Sequence, residues 1–201
     1  MKRLAIFVSG RGTNMDNIIR CVKKRKIKAD VALVFSDVQK APALINAKRY
    51  GIDTVFVNPK KYKDKKAFEI TIIQKLRKRC VDFIVLAGYM RILSPYIIKS
   101  YKNKILNVHP ALLPSFRGAN GIKDAYDYGV KVTGVTVHFV TEELDDGPII
   151  IQKAFSVKEG ESIASVEKRI HELEYELYPQ AINLVLKNKL IIKGRKVYTK
   201  K

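Results

Sequence analysis

The sequence predicts a doubly wound α/β fold, with a mostly parallel sheet and a C-terminal antiparallel portion. Three observations predict it. Apolar runs of strand length recur at residues 4–8, 31–35, 54–57, 83–87 and 105–108. Their unbroken hydrophobicity fits strands buried on both faces, as in a parallel sheet. Helix-patterned segments separate the early runs, which favours right-handed βαβ crossovers. Beyond residue 130 the pattern changes to alternation, which marks antiparallel strands.

Taken in order, the run 4–8 ends at Ser9-Gly10, and residues 14–24 carry the first helix. Pro42 suits the first position of a helix over 42–50, where its missing N–H costs nothing. In the segment 64–80, Phe68, Ile72, Leu76 and Cys80 recur every four residues and form one face. Residues 130–140 alternate Val135, Val137 and Phe139 against Thr136, His138 and Val140, which reads as a strand. Residues 148–157 read as its antiparallel partner, joined to it by the turn Glu143-Leu144-Asp145-Asp146-Gly147. A long helix over 162–187 follows, with Ile163, Val166, Ile170, Leu173 and Leu177 on one face. Pro179 is expected to bend or divide that helix. Val197 and Tyr198 suggest a short edge strand. With no repeat, linker or composition break, one domain over residues 1–201 is expected.

Charge and cysteine narrow the function classes. The chain of 201 residues has 39 Lys and Arg against 19 Asp and Glu, for a formal charge of +20. The basic residues are dispersed, as on a solvated surface, and no RNA-binding aromatic signature or zinc-finger spacing accompanies them. A small polyanionic substrate is compatible with that charge and nucleic acid is not expected, with a basic RNA-binding module as the rival from another class. Cys21 and Cys80, the only cysteines, are expected to be reduced and packed within helices. The run 4–8 is too short for a signal-peptide core and no run approaches a membrane span, so a soluble, cytoplasmic protein without a membrane partner is expected.

The chemistry concentrates in the stretch Asn107-Val108-His109-Pro110. Strand side chains alternate, so Asn107 and His109 share one side of the sheet. The prolines Pro110 and Pro114 stop the ladder and leave the pair at a strand's carboxyl end, where open α/β sheets bind ligands. The acidic turn can return a carboxylate to the imidazole. Amide, imidazole and carboxylate suffice to stabilise an oxyanion and move a proton. Earlier, Ser9-Gly10-Arg11-Gly12-Thr13-Asn14 links a strand to a helix. Its N–H groups can hold a phosphate, or Thr13 or Asn14 can merely cap the helix. Met15 stands where a dinucleotide fingerprint needs its third glycine, so a phosphomonoester fits better. His138 lies within a strand and is read as packed or hydrogen-bonded. His171, Glu167, Glu174 and Tyr178 form a polar stripe on the long helix, read by default as solvated. No carboxylate has a companion His or Cys at ligand spacing, so no metal is expected.

The glycine loop, the Asn-x-His-Pro-x-Leu-Leu-Pro stretch and the Leu-Asp-x-Gly-Pro turn, in this order and spacing, resemble the folate-dependent phosphoribosylglycinamide formyltransferases. The likeness extends through residues 87–95 and 133–140. The resemblance implies the formyltransferase fold, with a nucleotide- and phosphate-binding half over 1–100 and a catalytic and folate-binding half over 101–201. It implies transfer of the formyl group of 10-formyltetrahydrofolate, a co-substrate, to the amine of 5′-phosphoribosylglycinamide in de novo purine synthesis. By motif, Asn107, His109 and Asp145 are catalytic. Gly12, Thr13 and Asn14 hold the substrate phosphate, and Glu174 with His171 contacts the glycinamide or ribose part. Met90, Arg91, Ile92 and Leu93 line the folate pocket, with Asn107, Thr141, Glu142, Glu143, Leu144 and Asp145, while Lys65 stands near the folate's glutamyl end.

Two departures from the family pattern are visible. Asp146 follows Asp145 where many relatives carry glycine or a small polar residue, so a second carboxylate could compete for the histidine. Phe116-Arg117-Gly118-Ala119 leans toward the methionyl-tRNA formyltransferases, whose further C-terminal domain is not expected here. The alternative within the superfamily is another formyltetrahydrofolate-using enzyme, a hydrolase or a different formyltransferase. Monomer and homodimer both remain open.

Overall fold

The computed structural model describes residues 1–200. The chain divides into two compact units, Met1–Leu106 and the remainder from Asn107 onward. The first contains β1 (Lys2–Val8), α1 (Thr13–Lys23), β2 (Ala29–Ser36), α2 (Pro42–Arg49), β3 (Thr54–Phe56), α3 (Lys65–Lys78), β4 (Phe83–Leu86) and α4 (Pro95–Ser100). It ends within β5 (Ile105–His109). The second holds the rest of β5, α5 (Gly121–Tyr128), β6 (Val132–Phe139), β7 (Ile149–Ser156), α6 (Ile163–Leu186), β8 (Leu190–Lys193) and β9 (Lys196–Thr199). The strands form a seven-stranded, mostly parallel sheet in the order β3-β2-β1-β4-β5-β6-β7, with helices on both sides, and a two-stranded sheet β8-β9. The expected fold class is what the chain adopts.

In the first unit β1 is central. Leu4 to Val8 are at most 1% exposed, and the strand runs parallel to β2 and to β4. Each large side chain buried this way contributes about 1.5–3 kcal/mol. Because β2 and β3 lie on one side of β1 and β4 on the other, the loops after β1 and β4 meet at the point where strand order reverses. The Ser9 N–H donates to the Gly88 carbonyl there, at 3.0 Å. Beneath these loops Phe7 packs on Phe35 and Tyr89, with ring centroids 4.6 and 5.4 Å apart.

Helix α3 starts where Asp64 accepts the Ala67 N–H at 2.7 Å, and it buries Phe68, Ile72 and Leu76. It stops at Lys78. Cys80, expected in the helix and packed, lies past its end at φ 51° and is exposed. The four-residue rhythm runs on to Cys80, the residue where the backbone turns left-handed, two past the end of the helix.

In the second unit β6 is buried from Thr133 to Phe139 and pairs antiparallel with β7. Pro179 does not divide α6, which is one helix of 24 residues. The hydrogen bond lost at a helical proline costs about 3 kcal/mol. Burial of Val166, Ile170, Leu177, Tyr178, Ile182 and Val185, on a helix packed against β6 and β7, offsets it. Val197 and Tyr198 do form a strand, but β9 pairs with β8 in its own sheet rather than edging the main one. Two short helices, α4 and α5, lie outside the helical segments expected from the sequence. No helix among the described residues is long and apolar enough to cross a membrane.

Candidate active site

Strand β5 delivers Asn107 and His109 at its carboxyl end, with Val108 buried between them on the opposite face. The His109 side chain is 3% exposed. Its Nε2 lies 2.7 Å from the Phe116 carbonyl oxygen, which can only accept, so Nε2 carries a hydrogen. Its Nδ1 lies 3.4 Å from Oδ2 of Asp145. The ring is packed tightly on Gly121, where an added Cβ would sit 3.1 Å from Nε2. Asp145 adopts φ 47°, outside the usual range for a residue with a side chain, and that turn aims its carboxylate inward. Oδ2 accepts the Gly118 N–H at 2.9 Å, and Oδ1 lies 3.3 Å from Nδ2 of Asn107. The three residues singled out in the sequence therefore form one cluster.

Burial lowers the His109 pKa below its ordinary 6.5. The Asp145 charge and the Phe116 carbonyl oppose that, with a smaller push from Glu174. The resting ring is neutral at pH 7, yet both ring nitrogens face acceptors. Asp145 offsets part of the cost that burial puts on charging the ring. Burial works to raise the Asp145 pKa, but the neighbouring His138 ring, the Gly118 N–H and His109 outweigh it, leaving the carboxyl below its ordinary 3.8.

Asp146 does not compete for the histidine. Its two oxygens are ion-paired with Arg117 and Arg195, which hold its pKa low. Successive turn residues send one carboxylate into the cluster and the other to the surface.

His138 belongs to the cluster, although the sequence placed it no further than a strand. It is 2% exposed, and its Nδ1–H donates to the Phe139 carbonyl at 2.8 Å. In the neutral ring, Nε2 is then an acceptor, and it lies 3.3 Å from Nδ2 of Asn107 and 3.6 Å from Asp145. The amide of Asn107 is thus braced between His138 and Asp145. Glu174, expected in a solvated stripe, is instead 5% exposed and pairs with Nδ1 of His171 at 2.9 Å. His171 itself is half-exposed and stacks on Tyr175. Among the described residues no group of three His, Cys, Asp or Glu side chains is arranged to hold a metal ion.

In the first unit Gly12, not Thr13 or Asn14, is the N-cap of α1, and no side chain caps that helix. Gly12 sits at φ 81° with an ideal Cβ position 2.6 Å from Ala43 Cβ, so only glycine fits. Met90 and Ile92 are 65% and 58% exposed and Arg91 is exposed, its guanidinium 5.6 Å from the centre of the Phe68 ring. Leu93 is buried, so any contact it makes with a ligand is through its backbone. Lys65, the first residue of α3, is exposed. In the second unit Glu142, Glu143 and Leu144 are exposed and Thr141 is half-buried.

Residues 2–182 match the formyl transferase family. The chain belongs to it. Among formyl transferases, it is 41% identical to the phosphoribosylglycinamide formyltransferase of Bacillus subtilis over 92% of this chain and 95% of that protein. It is 42% identical over 91% of its length to the trifunctional purine biosynthetic protein adenosine-3 of Gallus gallus, spanning 18% of that longer protein. The crystal structure of glycinamide ribonucleotide transformylase 1 from Symbiobacterium toebii superposes with a TM-score of 0.97. That match covers 100% of this chain and 95% of the other, at 39% identity.

Proposed function

We propose that Asn107, His109 and Asp145 transfer the formyl group of 10-formyltetrahydrofolate to the amine of 5′-phosphoribosylglycinamide, a step of purine biosynthesis. One observation carries this reading: a carbonyl oxygen, that of Phe116, already lies 2.7 Å from Nε2 of His109 and accepts its hydrogen, on a ring backed by Asp145. The Phe116 oxygen stands in for the formyl oxygen of the substrate.

The neutral amine attacks the formyl carbon, a C–N bond forms, and the C=O electron pair moves onto oxygen. The oxyanion takes the place of the Phe116 carbonyl and accepts from His109 Nε2–H. Asn107 donates a second hydrogen bond by giving up one of its two 3.3 Å contacts, which are long and cheap to exchange. Each positioned donor lowers such a barrier by about 2.7–4 kcal/mol. Asp145 favours the imidazolium while a proton passes from the attacking nitrogen to N10 of the folate. The oxyanion then collapses, the C–N10 bond breaks, and the pair departs with the newly protonated nitrogen. The N10-formyl group is already activated, so the step needs no metal and no covalent enzyme intermediate.

For binding, the uncapped start of α1 at Gly12, Thr13 and Asn14 takes the phosphate. His171 and Glu174 contact the glycinamide or ribose. The folate meets Met90, Arg91, Ile92 and the Leu93 backbone, Asn107 and the segment 141–145, with Lys65 at the glutamyl end. The protein works in the cytoplasm as a monomer or homodimer, on small molecules and not on nucleic acid. Following folate deformylation spectroscopically with and without phosphoribosylglycinamide tests this. Turnover that depends on the amine supports it, and equal turnover without the amine makes the protein a hydrolase.

A further inference from the structure

Glu69 has no part in the chemistry above, yet it lies on the buried face of α3 and is 1% exposed. A carboxylate so placed is costly unless its oxygens are well hydrogen-bonded. Both are spent on one residue. Oε1 accepts the Ser94 N–H at 2.8 Å, and Oε2 accepts the Ser94 hydroxyl. Ser94 Oγ in turn accepts the Tyr96 N–H at 3.2 Å and caps α4. That six-residue helix, with Pro95 at its first turn, needs no buried carboxylate merely to begin.

The other end of the same segment is held in the same way. The Ser9 hydroxyl accepts the Met90 N–H at 3.0 Å and donates to Asp37 at 2.7 Å. Residues 90–94 therefore run between two serine–carboxylate anchors. Between them Met90, Arg91 and Ile92 face solvent, while the neighbour of Glu69, Phe68, lies under Arg91. Fixing both ends of an exposed loop removes the ordering cost that a ligand would otherwise meet on binding.

We propose that Glu69 is a positioning residue for the folate co-substrate, holding Ser94 so that residues 90–92 keep the geometry that receives it. The inference rests on assigning that segment to the folate. The test is steady-state kinetics on Glu69→Gln, Ser94→Ala, Ser94→Thr and the double variant Glu69→Gln/Ser94→Ala, with Ile92→Ala as reference. Glu69→Gln and Ser94→Ala should each raise KM for the formyl folate at least about tenfold, with kcat and the nucleotide KM changed less than about threefold. The double variant should match the worse single one, and Ser94→Thr, which keeps the hydroxyl, should restore most of the parent value. Equal losses for both substrates, or an unchanged folate KM, overturn the role. Should Glu69→Gln fail to fold, Ser94→Ala decides by the same criterion. Ile92→Ala separates the two claims. If it alone raises the folate KM, Glu69 is not a positioning residue; if neither variant responds, the folate assignment falls with it.

Discussion

His109 Nδ1 lies 3.4 Å from Asp145 Oδ2, with both side chains under a tenth exposed. Removing Asp145 withdraws the main force that opposes burial in setting the histidine's pKa. Asp145→Asn should lower that pKa further, measured by NMR titration of the imidazole, and reduce kcat at least about a hundredfold. Asp146→Asn should leave the His109 titration where it is, because Asp146 faces Arg117 and Arg195. A shift on Asp146→Asn and none on Asp145→Asn would give the role to the neighbour.

The same two groups set a pH dependence of stability. His109 titrates below 6.5 when folded, so below that pH the unfolded chain binds the extra proton first and stability falls with pH. Asp145 titrates below 3.8 when folded, so its contribution is complete above 3.8 and is lost as pH falls through the lower folded value. Thermal melts from about pH 7 to about pH 5 should show a falling Tm in the parent and a flatter course in His109→Gln. Parallel courses would mean that another group causes the fall.

The strands and the pairing of Asn107 with His109 were legible because each depends on local pattern. Unbroken apolar runs gave the parallel strands, and a two-residue spacing on one strand put Asn107 and His109 together. The place of His138 was not legible. Nothing in residues 130–140 distinguishes a packed strand histidine from one braced against Asn107, since that depends on the register of β6 and on the turn at Asp145. The burial of Glu174 was hidden for a similar reason: helical spacing shows a stripe, while packing decides which stripe is covered. Cys80 was misplaced because a period does not announce where the backbone changes hand.

His138 should matter to kcat through Asn107. Replacing it with phenylalanine keeps a ring but removes the Nε2 acceptor, leaving the amide braced on one side only. A fall in kcat of about tenfold is expected, with both KM values nearly unchanged. Wild-type kcat in a folded His138→Phe would show that Asn107 needs no such support.

The glycine loop gives a mixed outcome by design. Gly12→Ala forces a side chain into a left-handed position against Ala43 and should cost about 1–3 kcal/mol of stability in chemical denaturation. In the folded fraction it should raise the nucleotide KM and leave the folate KM alone. Equal changes in both would mean that the loop has only a structural role.

In the proposed reaction His109, within this trio, moves a formyl group onto an amine. Folate carrying a carbon-13-labelled formyl group, incubated with phosphoribosylglycinamide and the protein, follows the atom itself by NMR. The label should pass to the glycinamide nitrogen with the parent chain and at least about a hundredfold more slowly with His109→Ala. Label released as free formate, or transfer undiminished in His109→Ala, would take that role from His109.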